Sequence, residues 1–305
     1  MLFGIYLKTC RENYNFTQEE LVQKLYAFDD LFEGLDIGTL SRWERSTTKP
    51  NVDKQIQILK FFQTQSGLIL SCFGEDEPQA IEEKLCKIGV KNLLGTSKEH
   101  ILNAPTSFFN IKYASITHIH QAKDIDKALA MPYSTILSLT NNVYNLSLQT
   151  IKEWSLNPNN FFIYAQYHEE FAGMFFSLRL KPEVFHNLLN FKTEFNDIRA
   201  DDFASFDEMG CDMPLAFFAH NDKISSLLII SNFAHLIANQ KNIKEVGSIT
   251  LLDGAKKLLQ NINLKHYNTT TSKQGNLDSY MEKLSKVLVN ESIVKMLFQK
   301  EKCPD

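Results

Sequence analysis

The stretch Phe161-Phe162-Ile163-Tyr164-Ala165-Gln166-Tyr167 decides the fold class of the larger part of this chain. It is dense in aromatic and β-branched residues, which favour β-strands over helices. His168-Glu169-Glu170 is polar and typical of a turn, and apolar residues resume from Ala172 to Leu180. Two β-prone runs joined by a short polar turn predict a β-hairpin.

Beyond this hairpin, the sequence predicts strands mixed with helices, which favours an α/β (α+β) fold. The predicted segments are a strand Pro214–Ala219, a helix Ile224–Asn239, a strand Gly247–Leu251 and a helix Gly254–Asn261. Thr269–Gly275 is expected to be a polar break. Leu277–Phe298 has apolar residues at helical spacing, so a last amphipathic helix is predicted there.

The first 62 residues are typical of short helices instead. Thr17-Gln18-Glu19-Glu20 has the form of a capping box, in which a Thr hydroxyl and a Glu carboxylate satisfy each other's backbone N–H groups. Asp36 is a good N-cap for a further helix, and Pro50 ends that stretch. The residues from Tyr26 to Leu35 are expected to extend the second helix and to add apolar core.

The chain has 305 residues, a length that suggests about two domains. We divide it into an all-α domain over 1–66, a connector over 67–97, an α/β domain over 98–268, and a polar break with a C-terminal helix over 269–305. No internal repeat or low-complexity tract is visible.

Composition excludes several classes of protein. Hydrophobic residues make up 44% and charged residues 22%, which is typical of a globular chain rather than a disordered one. No apolar run approaches the roughly 20 residues that a membrane span needs, and no signal peptide is recognised. The 5 cysteines lack motif spacing, so a cytoplasmic protein with reduced thiols is expected. With a net charge of -4, any DNA-binding surface must be local.

The N-terminal pieces resemble the Cro/XRE (phage-repressor-like) helix-turn-helix family. The segments that carry the resemblance are Leu7–Glu12, Thr17–Leu21, Thr39–Arg45 and Lys49-Pro50. The insertion over Tyr26–Leu35 departs from the family's tight turn. The resemblance implies that double-stranded DNA is the partner and that the helix after Asp36 enters the major groove.

Residue chemistry assigns roles on that helix. Arg42 is the best candidate for a bidentate guanine contact, and Ile37 can touch a thymine methyl group. By resemblance, Gln18 would bond a phosphate, and Arg11 would form a structural ion pair with Glu44. The predicted DNA-binding residues are Gln18, Ile37, Gly38, Thr39, Arg42, Arg45 and Lys49. Trp43 is interpreted as a core residue.

The strand and helix order of the second part resembles the GNAT (N-acetyltransferase) fold. In that family, a glycine-rich turn between a strand and a helix grips the pyrophosphate of acyl-CoA with its backbone amides. Here the turn before Ile224 contains no glycine. The residues that would remain to bind such a ligand are Asn221, Lys223, Ser225 and Ser226.

A second departure affects catalysis. By resemblance, the position of the family's tyrosine acid falls near Leu259, and its Gly-Phe pair is replaced by Asn263-Leu264. A leucine cannot protonate a leaving thiolate. His266 and Tyr267 are the substitute acids that the sequence offers. His118 and His120 are predicted to share one face of a strand. They could bind a metal ion together or be a surface pair without a ligand, and both interpretations stay open.

We therefore expect a DNA-binding transcriptional regulator, a homodimer whose GNAT-like domain senses a small molecule, such as an acyl-CoA, or mediates dimerisation. No catalytic residue, metal or resident cofactor is assigned. An active N-acetyltransferase with a DNA-targeting head, and an antitoxin-like autoregulator, are the alternatives. Pairing is expected through the GNAT-like domain or the helix Leu277–Phe298.

Overall fold

A computed structural model describes residues 3–66, 114–290 and 293. The first of these segments is entirely helical, and we refer to it as the head. Its helices are α1 (Phe3–Asn13), α2 (Gln18–Phe28), α3 (Ile37–Glu44) and α4 (Val52–Ser66). The predicted connector over 67–97 lies outside the described residues.

Capping interactions set where the helices of the head begin. The Thr17 hydroxyl accepts the Glu20 amide at 3.1 Å, and the Glu20 carboxylate accepts the Thr17 amide at 2.7 Å, which confirms the predicted capping box. Asp36 caps α3 by accepting the Thr39 amide at 2.6 Å. The buried core of the head lies between the helices and includes Leu21, Leu25, Leu40, Trp43, Ile58 and Phe62.

The prediction that residues 26–35 extend α2 was wrong. The helix ends at Phe28, and Asp29 caps a short 3-10 turn over Asp30–Phe32, with its carboxylate accepting the Leu31 amide. Asp favours such caps because its short side chain bonds to nearby backbone groups. Phe32 is fully buried, as expected of added core, whereas Leu31 is exposed.

The second part, which we call the body, is built on one seven-stranded mixed sheet with the order β1-β2-β3-β4-β5-β7-β6. The strands are β1 (Ala114–His118), β2 (Phe161–Tyr167), β3 (Glu170–Leu180), β4 (Gly210–Ala219), β5 (Ile243–Thr250), β6 (Lys265–Ser272) and β7 (Gly275–Lys283). Strands β2 and β3 form the predicted hairpin. All neighbouring strands are antiparallel except β4 and β5.

Helices cover both faces of the sheet. The helices of the body are α5 (Ile125–Leu139), α6 (Leu148–Leu156), α7 (Pro182–Leu189), α8 (Asp222–Ala238), α9 (Asp253–Asn261) and α10 (Leu284–Leu288). Helices α5, α6 and α7 pack in one apolar core, and α8, α9 and α10 contribute to the core on the other face. Helix α8 is buried along nearly its whole length, which explains why its sequence is apolar on all sides.

The predicted polar break and C-terminal helix are corrected by the structure. Residues 265–272 and 275–283 form the hairpin β6–β7, and β7 pairs with β5 on its other side. The predicted domain boundary after residue 268 therefore falls inside β6. Two flanking strands offer β7 a full set of backbone partners, which overrides its local helical pattern. Of the predicted helix, α10 over Leu284–Leu288 is described, and residues 294–298 lie outside the described part.

The head rests against the body through α4, which contacts α8 and α10. Val289, just after α10, packs against the apolar core of the head. Among the residues that the structure describes, no helix combines the length and apolar character that crossing a membrane requires.

Gly173 in β3 lets α8 approach the sheet closely. A Cβ atom at this position would lie 2.6 Å from the Phe218 carbonyl oxygen and 2.9 Å from the Ile224 side chain.

We predict that Gly173→Ala lowers the free energy of unfolding by about 1–3 kcal/mol, because backbone and a packed helix must shift. Urea unfolding measures this. Ser115→Ala on the exposed surface of β1 is the control, and an equal effect of both changes would contradict the account.

Candidate functional site

The first candidate surface is the outward side of α3. Its inward side is fixed by Leu40 and Trp43, which are buried in the head core. The opposite side carries Ile37, which is 45% exposed although apolar, together with the exposed residues Gly38 and Arg42. Arg45 and Lys49 are also exposed and follow at the end of the helix.

Side chains on this surface are ordered by hydrogen bonds. Arg42 Nη2 donates to Thr39 Oγ1 at 2.9 Å, and Thr39 Oγ1 donates to Asp36 Oδ2 at 3.1 Å. The backbone amide and hydroxyl of Thr39 together hold the pKa of Asp36 below its ordinary value. The guanidinium of Arg42 is thus positioned by Thr39, whose hydroxyl is in turn held by the helix cap Asp36.

A buried ion pair fixes α3 relative to α1 and α2. Arg11 binds Glu44 through two hydrogen bonds of 2.6 and 3.1 Å, and Glu44 is almost fully buried. This is the ion pair that the family resemblance implies. Gln18 Nε2 also donates to Glu44 Oε2, at 2.7 Å. In this structure Gln18 thus helps to hold α2 against α3, and its predicted phosphate contact stays a prediction.

The second candidate site is created where β4 and β5 separate. Their pairing is confined to Gly210 with Ile243 and Asp212 with Val246. Pro214 follows, and a proline has no N–H to donate to a ladder. Against β3, Ser177 pairs with Pro214 and Phe176 with Ala216, so Leu215 is the extra residue of a β-bulge.

Between the separated strands lies a cavity of about 120 Å³. It is lined mainly by residues of β4, β5, α8, α9 and the segment after α5. Most of the lining side chains are apolar, and none of the described residues that line it carries a charge. They include Phe175, Phe217, Ile229, Phe233, Ile249 and Leu258. We call it the splay cavity.

Two backbone carbonyls beside the splay cavity are satisfied by side chains of the chain itself. Ser248 Oγ donates to the Pro214 carbonyl at 2.8 Å and thereby bridges β5 to β4. The Tyr144 hydroxyl donates to the Ile249 carbonyl at 2.6 Å. Tyr144 comes from the segment between α5 and α6, so that segment closes the cavity against the separated strands.

Asn232 of α8 is the polar residue of the splay cavity that lacks a full set of partners. Its side chain is 4% exposed, and Oδ1 has no hydrogen-bond partner in the part of the chain that is described. A buried polar atom without a partner costs about 1–3 kcal/mol. A group that enters the cavity and donates to Asn232 would remove this cost.

The residues predicted to bind a ligand phosphate lie at the start of α8. Asn221 accepts the Ile224 amide at 3.0 Å and caps the helix, and Ser226 Oγ donates to the Asp222 carbonyl at 2.7 Å. Ser225 is fully buried and its Oγ has no partner among the described residues, while Lys223 is half-buried. None of these four residues lines the splay cavity. Two of them thus serve the helix terminus rather than an open cradle.

The position expected to hold a catalytic acid is apolar. Leu259 is buried and lines the splay cavity. Asn263 has φ 72, so it takes the left-handed conformation that glycine adopts most easily, and Leu264 is buried behind it. His266 and Tyr267, the substitute acids, lie on β6 and do not line the cavity.

A buried polar cluster lies where β4 still pairs with β5. Asp212 accepts the Ser177 hydroxyl at 2.7 Å and pairs across the strands with Arg179. The Arg179 guanidinium donates to the carbonyls of Ser205, Glu208 and Asn242. Burial raises the pKa of Asp212 to about 7. Sequence reasoning missed this cluster, because its members are separated along the chain and only the strand register brings them together.

The predicted histidine pair is close but not on one strand. His118 ends β1, and His120 lies in the 3-10 turn Ile119–Gln121, with 5.3 Å between their ring centres. Burial lowers the pKa of His118 to about 4. Within the described ranges, no group of three His, Cys, Asp or Glu residues is placed to hold a metal ion.

Comparison with known proteins was made for the whole chain. No protein-family model matches it, and no curated protein matches it. Solved structures similar to it include an N-acetyltransferase from Staphylococcus aureus Mu50, with 16% identity and a TM-score of 0.37 over 56% of this chain and 98% of that one.

Two further structures are comparably similar. An aminoglycoside 6'-acetyltransferase type Ii has 9% identity and a TM-score of 0.37, over 55% of this chain and 96% of its own. An apo agmatine N-acetyltransferase variant has 8% identity and a TM-score of 0.36, over 56% and 99%. The mixed seven-stranded sheet with flanking helices is itself consistent with a GNAT-like fold.

The buried Asp212 predicts how stability changes with pH. Its pKa in the folded protein, about 7, lies above the ordinary value of 3.8. The folded state therefore keeps a proton that the unfolded state has lost, and this stabilisation is present below pH 4 and is lost as pH rises toward 7. We predict that the free energy of unfolding falls more steeply across this window in the wild type than in Asp212→Asn. Parallel slopes in urea unfolding at several pH values would contradict this.

Proposed function

We propose that this chain is a sequence-specific DNA-binding regulator whose head reads DNA and whose body binds a small molecule without transferring an acyl group. The observation that carries the proposal is the outward side of α3. An exposed Ile37 and an exposed, pre-positioned Arg42 occupy the first turns of a helix that is otherwise locked into a core.

The chemistry of this surface fits the major groove. A guanidinium can bond the two acceptors of a guanine edge, and an apolar side chain can contact a thymine methyl group. Gly38 adds no side chain between them. Arg45 and Lys49 supply positive charge beside the helix, where phosphates would lie. The rigid Arg11–Glu44 pair would keep α3 at one angle to the rest of the head.

The body supports ligand binding more than catalysis. The separated strands leave a cavity between them, but the resemblance puts the acid that would protonate a leaving thiolate near Leu259, which is buried and apolar. At the start of α8, the Asn221 side chain accepts the Ile224 amide, which is then not open to a pyrophosphate. A fold can keep its architecture while its chemistry is lost.

A second candidate function is N-acyl transfer by the body, with the head as a targeting domain. The bulge in β4 and the separation of β4 from β5 favour it, because they provide a cleft of the kind that the GNAT resemblance implies.

We further propose a homodimer, since one helix reads only a short half-site. Residues 277–283 of the predicted pairing helix Leu277–Phe298 lie instead in strand β7, which pairs on both sides, so pairing through the GNAT-like body is the alternative that we retain.

For DNA binding, we predict that Arg42→Ala costs about 1–3 kcal/mol for a duplex selected by the full chain from a random pool. The loss is expected for the selected duplex and not for unrelated sequences, because a base contact is removed. Lys49→Ala should weaken binding to all duplexes alike and reduce the slope of log affinity against log salt by about one.

The matched control is Lys273→Ala in the turn between β6 and β7, which removes one positive charge from the body. Fluorescence anisotropy over a range of salt concentrations measures all three variants. If Arg42→Ala weakened binding to selected and unrelated duplexes by the same factor, a base-reading role would be wrong. If Lys273→Ala had the effect of Lys49→Ala, the head would not be the DNA-binding surface.

For catalysis, we predict no release of free thiol when the chain is incubated with acetyl-CoA and a panel of amines, polyamines and lysine peptides. The reason is the missing acid at Leu259. Release above the uncatalysed rate that disappeared in Tyr267→Phe or His266→Ala, and persisted in Arg42→Ala, would establish the acyltransferase function instead.

A further inference from the structure

We propose that the splay cavity takes the alkyl chain of a small neutral ligand, about five carbons long, whose amide group hydrogen-bonds Asn232. This names the ligand class of the sensing site and rests on the proposed function. It differs from an acyl-CoA site, because neither a phosphate nor a nucleotide takes part in recognition.

The size of the cavity sets the length of the chain. A cavity of about 150 Å³ lined by Leu, Ile and Phe holds one benzene molecule. The splay cavity is somewhat smaller, at about 120 Å³ with a similar lining, and therefore holds about five carbon atoms. An acetyl group would leave most of this space empty, and the far carbons of a ten-carbon chain would extend beyond the cavity without adding apolar burial.

The absence of charge from the lining sets the charge of the ligand. No described residue of the lining is acidic or basic. An ionised group placed there would lose its water without gaining a counter-charge, which is strongly unfavourable. The same reasoning applies to a carboxylate, an ammonium group and a phosphate.

Asn232 sets the polar group of the ligand. Its amide is 4% exposed, lines the cavity and carries an oxygen that has no partner in the described structure. The other polar groups nearby are already engaged, since Ser248 Oγ and the Tyr144 hydroxyl each donate to a backbone carbonyl. A ligand N–H is the group that completes the set.

Residues at the start of α8 take no part in this recognition, because none of Asn221, Lys223, Ser225 and Ser226 lines the cavity. Asn221 caps the helix by accepting the Ile224 amide, and Ser226 Oγ donates to the Asp222 carbonyl. The ligand class therefore rests on the cavity and on Asn232.

A chain-length series of simple amides tests the proposal on the full-length protein without DNA. The probes are acetamide, butanamide, hexanamide and decanamide, with hexanoate, 2-heptanone and acetyl-CoA for comparison. From butanamide to hexanamide, affinity should rise about fourfold per CH₂, which corresponds to about 0.8 kcal/mol for each buried group. Decanamide should gain nothing over hexanamide. Hexanoate and acetyl-CoA should bind at least tenfold more weakly than hexanamide.

Two variants separate the polar contact from the apolar one. Asn232→Leu should weaken hexanamide about fivefold to tenfold and leave 2-heptanone, which has no donor, within twofold of its wild-type affinity. Ala255→Leu, in the lining of the cavity, should abolish binding of both probes. Gln260→Leu, on the exposed side of the same helix, should change neither. Ala255→Leu also keeps the test decisive if Asn232→Leu does not fold.

Several outcomes would overturn the inference. The first is that acetamide binds as tightly as hexanamide. The second is that hexanoate or acetyl-CoA binds as tightly as hexanamide. The third is that no amide binds at all. If the amide series failed while the predicted DNA binding was observed, the proposed ligand class would be wrong and the DNA-binding role of the head would stand. If the amide series gave the expected affinities while the predicted DNA contacts failed, the proposed regulator function would be wrong and the ligand site would stand.

Discussion

The break in pairing between β4 and β5 is the constraint on which the body depends. The two strands share a ladder only as far as Asp212 and Val246, and Pro214 then removes a backbone donor while Leu215 forms a bulge against β3. The backbone groups freed by this separation need partners, and Ser248 and Tyr144 supply two of them from side chains. The space that remains becomes an apolar cavity with one incompletely bonded amide. A continuous ladder would leave no room for a ligand.

The head depends on a different kind of constraint, a buried charge pair. Breaking such a pair by removing one partner typically costs 3–5 kcal/mol, so Arg11 and Glu44 hold three helices in one arrangement. Helix α4 then links this arrangement to the body, because it packs against α8 and α10. Helix α8 also forms a wall of the splay cavity through Ile229, Asn232 and Phe233. One helix therefore contacts both the splay cavity and the head.

Much of this architecture could be predicted from local sequence. The capping box at Thr17, the cap at Asp36 and the hairpin around His168 depend on neighbouring residues, and the structure confirms them. The strand β7 could not be predicted, because its residues have helical spacing and only the flanking strands β5 and β6 fix its conformation. The cavity and Asn232 were missed for the same reason: they depend on strand separation and on the register between distant segments. The DNA-reading roles of Ile37 and Arg42 stay predictions.

The central claim is that a ligand in the body changes DNA binding by the head. The most direct test measures the affinity of the full chain for its selected duplex at zero and at saturating hexanamide. A ligand shifts an equilibrium only if it binds two states unequally, and coupling of this kind usually amounts to about 1–3 kcal/mol. The account predicts a change in DNA affinity of at least fivefold that disappears in Ala255→Leu. An unchanged affinity, measured while the body is shown to be saturated, would contradict it.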